Sequence, residues 1–151
     1  MKIKKAYSIL AIFLSSLIFV SCSGQKLNHD RFVSVVEKHD MDCAEDKSGS
    51  DIGVKAWTRA QGNGNSADIE LIEFDSEGNA ASFINKQTTI ISENGVKFSG
   101  SMDSGEQAQS GNIWYYFAIS GKYVIMANAT STSDKKLILK VLDKLPGVSR
   151  P

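Results

Sequence analysis

The chain holds only two cysteines, two prolines and two histidines in 151 residues. Each scarcity removes a class of protein. Two cysteines at positions 22 and 43 give no disulfide framework. Two histidines with one further thiol show no closed tetrahedral spacing, so no metal site is expected. Both prolines lie near the C-terminus, at 146 and 151, leaving the body of the chain free to form regular elements. A catalytic signature is also missing: no serine sits in a nucleophile-elbow context, and no Gly-Lys-Ser/Thr phosphate loop occurs. No cofactor is implied.

What is present begins at the N-terminus. Met1-Lys2-Ile3-Lys4-Lys5 is a short cationic head, and Ala6 to Val20 is an uncharged run dense in Leu, Ile and Phe. Fifteen residues are too few to span a bilayer, which takes roughly 20 at 1.5 Å each. A cationic head, a brief apolar stretch and small residues make a secretion signal. The next residues, Phe19-Val20-Ser21-Cys22, resemble the bacterial lipobox, with Phe19 where Leu is usual. That resemblance implies diacylglyceryl transfer to the Cys22 thiol and cleavage just before it. It implies an address in the cell envelope: the outer membrane of a Gram-negative cell, or the outer face of the cytoplasmic membrane of a Gram-positive one. Ser23 is unlike the Asp-type inner-membrane retention signal.

The expected organisation is a signal at 1–21, a lipidated tether at 22–27, one domain at 28–146 and a tail at 147–151. Losing Lys2, Lys4 and Lys5 leaves 14 basic against 17 acidic residues. The mature chain is mildly acidic, with no basic stripe, which disfavours nucleic acid as a partner.

Periodicity places three helices. The first covers 29–39, capped by Asn28, with Phe32, Val33, Val35 and Val36 on one side. The second opens after Asp75-Ser76-Glu77, aligns Ala80, Phe83, Ile84 and Gln87, and ends at Asn94-Gly95. The third follows Thr130-Ser131-Thr132-Ser133, with Leu137, Ile138, Val141, Leu142 and Leu145 inward and Lys135, Lys136, Lys140 and Lys144 outward. Strands are expected at 52–60, 68–74, 96–102, 113–119 and 122–127, the last two joined by a tight turn at Ser120-Gly121. Residues 40–51 and 104–111 read as loops. The fold class is α+β: an antiparallel sheet of four to five strands with two or three helices packed on one face, in the order α-ββ-α-βββ-α. Both halves end in a hairpin strand, a cap cluster and an amphipathic helix, a pattern that hints at duplication.

The stretches Ile69–Phe74, Asn79–Phe83, Ser120–Met126 and Lys135–Leu145 resemble small envelope lipoproteins of Gram-positive and gut bacteria. The resemblance covers roughly 28–145 and is one of hydrophobic pattern. It implies fold and address and brings no activity with it.

Three features are candidates for function. Trp114-Tyr115-Tyr116-Phe117 alternates on a strand, so one pair belongs beneath the helices. Trp114 and Tyr116, with Trp57, form a candidate binding surface on the open face, for an envelope protein or a glycan. Second, Asp40, Asp42, Asp46 and Asp51 fall at calcium-loop positions, but Glu45 stands where the loop needs Gly and Ala44 offers no oxygen. The alternative reading of residues 39–51 is a cation-dependent or Cys/His-based enzyme with His39 and Cys43 as its pair, although the surrounding carboxylates suppress a thiolate. Third, the 104–111 loop is the segment that an enzyme inhibitor would present. The expectation is a membrane-anchored, non-catalytic binding or accessory module.

Overall fold

The computed structural model describes residues 26–45, 51–101 and 105–148. The signal at 1–21, Cys22, and Asp46 of the acidic segment lie outside these residues. Among the described residues seven strands form one antiparallel sheet: β1 (Met41–Glu45), β2 (Val54–Gly62), β3 (Asp68–Phe74), β4 (Phe98–Ser101), β5 (Gly105–Ser110), β6 (Ile113–Ser120) and β7 (Tyr123–Ala129). Their spatial order is β1-β2-β3-β7-β6-β5-β4. Among the described residues the helices are α1 (His29–Glu37), α2 (Glu77–Glu93) and α3 (Thr132–Leu142). The class is α+β, as expected; the chain order is α-βββ-α-ββββ-α.

Two strands lie where the sequence pattern predicts loops. Asp42-Cys43-Ala44 has no apolar alternation, yet it pairs with Gln61, Ala60 and Arg59 of β2. Glu106-Gln107-Ala108-Gln109 has low β propensity, but Gln107 pairs with Tyr116 and Gln109 with Trp114. Partner strands and burial override intrinsic preference at such positions. Gly105–Ser110, within the segment expected as a loop, is therefore part of the sheet, and Ser104 lies outside the described residues. The expected 96–102 strand is shorter, Phe98–Ser101, and lies at the sheet edge.

The helix ends follow their caps. Asn28 accepts from the Arg31 backbone N–H at 2.8 Å, Ser76 from Asn79 at 3.2 Å and Ser131 from Asp134 at 3.1 Å. Gly95, at φ +83°, follows the end of α2.

Helices cover both faces of the sheet, whereas one face was expected. The central strand explains this. Ile69 and Leu71 of β3 join a cluster with Phe32, Val35 and Val36 of α1 and with Ile138, Val141 and Leu142 of α3. Ile72 and Phe74 join a second cluster with Ala80, Phe83 and Ile84 of α2. A strand apolar on both faces needs cover on both. We call these the two-helix face and the one-helix face. This placement also opposes the hint of duplication. The dyad relating antiparallel neighbours β3 and β7 is perpendicular to the sheet and preserves its faces, but α2 and α3 lie on opposite ones.

Alanines at 60, 118, 127 and 129 line the two-helix face, letting the helices approach beside the large Trp114 and Tyr116. Tyr116 is fully buried and Trp114 only 3% exposed. Their rings stack at 6.1 Å between centroids, Trp114 Nε1 donates to Gln107 Oε1 at 3.1 Å, and Lys135 Nζ lies 4.8 Å from the Trp114 centroid. Gly105 makes room for this pair: at φ +88° a Cβ there would lie 2.5 Å from the Tyr116 ring. The burial of Trp114 and Tyr116 corrects their placement on an open face. Strand parity was read properly, but α1 and α3 cover the side to which both residues point.

Candidate functional site

The open surface lies elsewhere. α2 packs on the end of the one-helix face marked by Ile72, Phe74, Phe117 and Val124. Among the described residues no helix covers the other end, where Arg59 and Gln61 of β2, Asp68 and Glu70 of β3 and Asn128 of β7 lie.

Trp57 stands on the boundary. Its ring meets Phe83 of α2 edge-on at 6.1 Å, and its Nε1 donates to Glu70 Oε2 at 2.7 Å. Two residues along β2, Arg59 grips Asp68: Nε donates to both carboxylate oxygens at 2.9 and 3.0 Å, and a terminal guanidinium nitrogen also contacts Oδ2. Arg59 Nε lies 3.7 Å from Glu70 Oε1. The Asp68 side chain is 7% exposed, whereas that of Arg59 is 42% exposed. The guanidinium thus shields its carboxylate partner and keeps an open side toward solvent. Half-buried Tyr115, Met126 and Asn128 share the face. A shallow groove of about 250 Å³, lined by Asp42, Ala44, Arg59, Gln61 and Asn63 among others, continues toward edge strand β1.

Chemically this is a flat, hydrogen-bonding surface with an aromatic margin and a clamped guanidinium. It offers donors and acceptors without a general base beside a nucleophile. Of the three aromatic candidates, Trp57 alone borders it. Arg59, Asp68 and Glu70 were missed in the sequence. Their signal was parity: Trp57 and Arg59 alternate with Thr58 and Ala60, as Asp68 and Glu70 alternate with Ile69 and Leu71.

The acidic segment does not converge. α1 stops before His39, and Asp40 at φ +57° turns the chain into β1. His39 Nδ1 donates to the Val35 carbonyl at 2.8 Å. Asp42 and Cys43 are successive strand residues and point to opposite faces. Cys43 is half-buried on the two-helix face; burial, then the carboxylates of Glu37 and Asp42, push its thiol up to about 11. Among the described residues no three His, Cys, Asp or Glu side chains form a group that could hold a metal ion. No described helix is long and apolar enough to cross a membrane.

A second polar cluster ties the β2–β3 connection to α3. Ser66 Oγ donates to Asp134 Oδ2 at 2.5 Å and also contacts the Thr130 hydroxyl. The hydrogen bonds from Ser66, then that with Ser131, hold the Asp134 carboxyl below the usual carboxylate range. It is a capping and latching arrangement, and no histidine adjoins it.

No protein family and no curated protein matches this chain. One solved structure to which it is similar is a GTP binding regulator from Thermotoga maritima, at 13% identity and a TM-score of 0.49, over 80% of this chain and 89% of that one. That likeness is too distant to carry an argument.

Proposed function

We propose that this protein is an exported lipoprotein, held in the cell envelope by acyl chains on Cys22, whose domain serves as a non-catalytic binding or accessory module. The observation that carries the reading is the leader: a cationic head, fifteen uncharged residues and Phe19-Val20-Ser21-Cys22. Acyl chains contribute about 0.8 kcal/mol per buried CH₂, so two or more hold a small domain stably at a bilayer.

The binding role finds support in the uncovered half of the one-helix face. The partner it suits is an envelope protein or a glycan, since both offer the flat hydrogen-bonding groups that Arg59, Glu70 and Asn128 complement, with Trp57 at the margin. Two measurements test the reading. Cells fed an alkyne-bearing fatty acid should label the wild-type protein and not Cys22→Ser; equal labelling of the two, or of neither, contradicts the anchor. A photoreactive residue at position 128 should give an envelope adduct, while one at Ser92 on α2 should not. Absence of any adduct at 128 contradicts the binding role.

A further inference from the structure

The acidic total of the mature chain conceals a local excess of positive charge. Lys136 and Lys140 of α3, and Lys144 in the turn after it, recur every four residues and are exposed. They lie opposite the buried Ile138, Val141 and Leu142. This is the basic stripe that the charge total had argued against. Lys135 is engaged over Trp114, and Asp134 is buried in its bonds to Ser66 and Ser131. Asp143 is the acidic residue near the stripe's end, 3.9 Å from Lys144 Nζ. The outer helix of the opposite face has no counterpart: α2 carries Glu77, Glu93 and Lys86, the last paired with Asp51 at 3.3 Å.

The second observation is where the chain enters the domain. Leu27, expected in the tether, is 4% exposed and belongs to the cluster beneath α1 and α3. Packing therefore begins five residues after Cys22. Five residues reach at most about 17 Å when fully extended. The entry point and the lysine stripe thus belong to the same side of the sheet, and the entry point cannot move far from a lipid attached at Cys22.

We propose that the α3 stripe of Lys136, Lys140 and Lys144 docks on anionic phospholipid headgroups of the membrane that holds the Cys22 acyl chains. Juxtamembrane lysines gain favourable energy near an anionic surface within a Debye length, and a short tether keeps them in that range. The uncovered half of the one-helix face is then turned away from the bilayer. This inference rests on the anchored reading.

The test uses the mature protein extracted from cell membranes and reconstituted with vesicles of phosphatidylcholine, with or without phosphatidylglycerol. Lysine acetylation is followed residue by residue by mass spectrometry. Lys136 and Lys140 should label roughly fivefold more slowly on the anionic vesicles. Lys86, on the opposite face, should label at the same rate on both, and raised salt should remove the difference. Protein that floats with both vesicle types yet labels identically overturns the docking while leaving the anchor intact. Protein that floats with neither, with an unmodified Cys22 peptide, overturns the anchor.

Discussion

The two faces of the sheet are built differently. The two-helix face buries an apolar cluster under α1 and α3 and carries the largest buried side chains, Tyr116 and Phe32 among them. The one-helix face is apolar under α2 and polar beyond it, where Arg59, Asp68 and Glu70 take over. The same strands supply both, because successive residues alternate sides. One strand pair thus carries a closed core on one side and an open polar surface on the other. Substitutions at neighbouring positions should therefore differ sharply in effect.

The largest expected effect is on the closed face. Tyr116→Ala should cost about 3–5 kcal/mol in urea unfolding, the range for fully buried aromatics. Tyr115→Ala, one residue away on the other face, should cost about 1 kcal/mol. Equal losses would break the comparison. Gly105→Ala should cost about 2 kcal/mol, since its Cβ meets the Tyr116 ring at a positive φ. A neutral result would mean that the ring is not held where described.

Asp134→Asn should lower stability by about 1–2 kcal/mol at neutral pH, the worth of hydrogen bonds to a charged group. The sign with pH follows from the depressed folded pKa. The stabilisation is complete above the unfolded value of about 3.9 and is lost as pH falls through the lower folded value. The gap between Asp134→Asn and wild type should therefore close in acid below about pH 4. A gap independent of pH would contradict the assignment.

The smallest effect on the fold, though easily measured, concerns Cys43. With its thiol at about 11, alkylation at pH 8 should run roughly 100-fold slower than for an unperturbed cysteine. Fast labelling would place Cys43 outside the two-helix core.

Much of the architecture was legible. The three described helices were readable because Asn28, Asp75-Ser76-Glu77 and Thr130-Ser131-Thr132-Ser133 each precede an amphipathic run, and the structure picks out Ser76 and Ser131 as the capping residues of the latter two. The β6–β7 hairpin declared itself through β-rich flanks, with its turn at Gly121-Lys122, one residue beyond the expected Ser120-Gly121. What escaped were β1 and β5, whose residues form strands because of neighbours distant in sequence. The cover on both faces was foreshadowed by apolar residues on both sides of β3, yet its consequence for Trp114 and Tyr116 depended on where α1 and α3 settle. The Arg59 cluster escaped for a similar reason: its members lie on two strands and acquire meaning only in register. Net charge concealed the α3 stripe because it sums over faces that point in opposite directions.

Acylation at Cys22 is the covalent event on which the proposed function depends, and the mass of the native N-terminal peptide tests it most directly. The predicted result is a chain that starts at Cys22 and carries a diacylglyceryl group on its thiol. A native chain that retains Met1, or starts elsewhere with Cys22 unmodified, would contradict it.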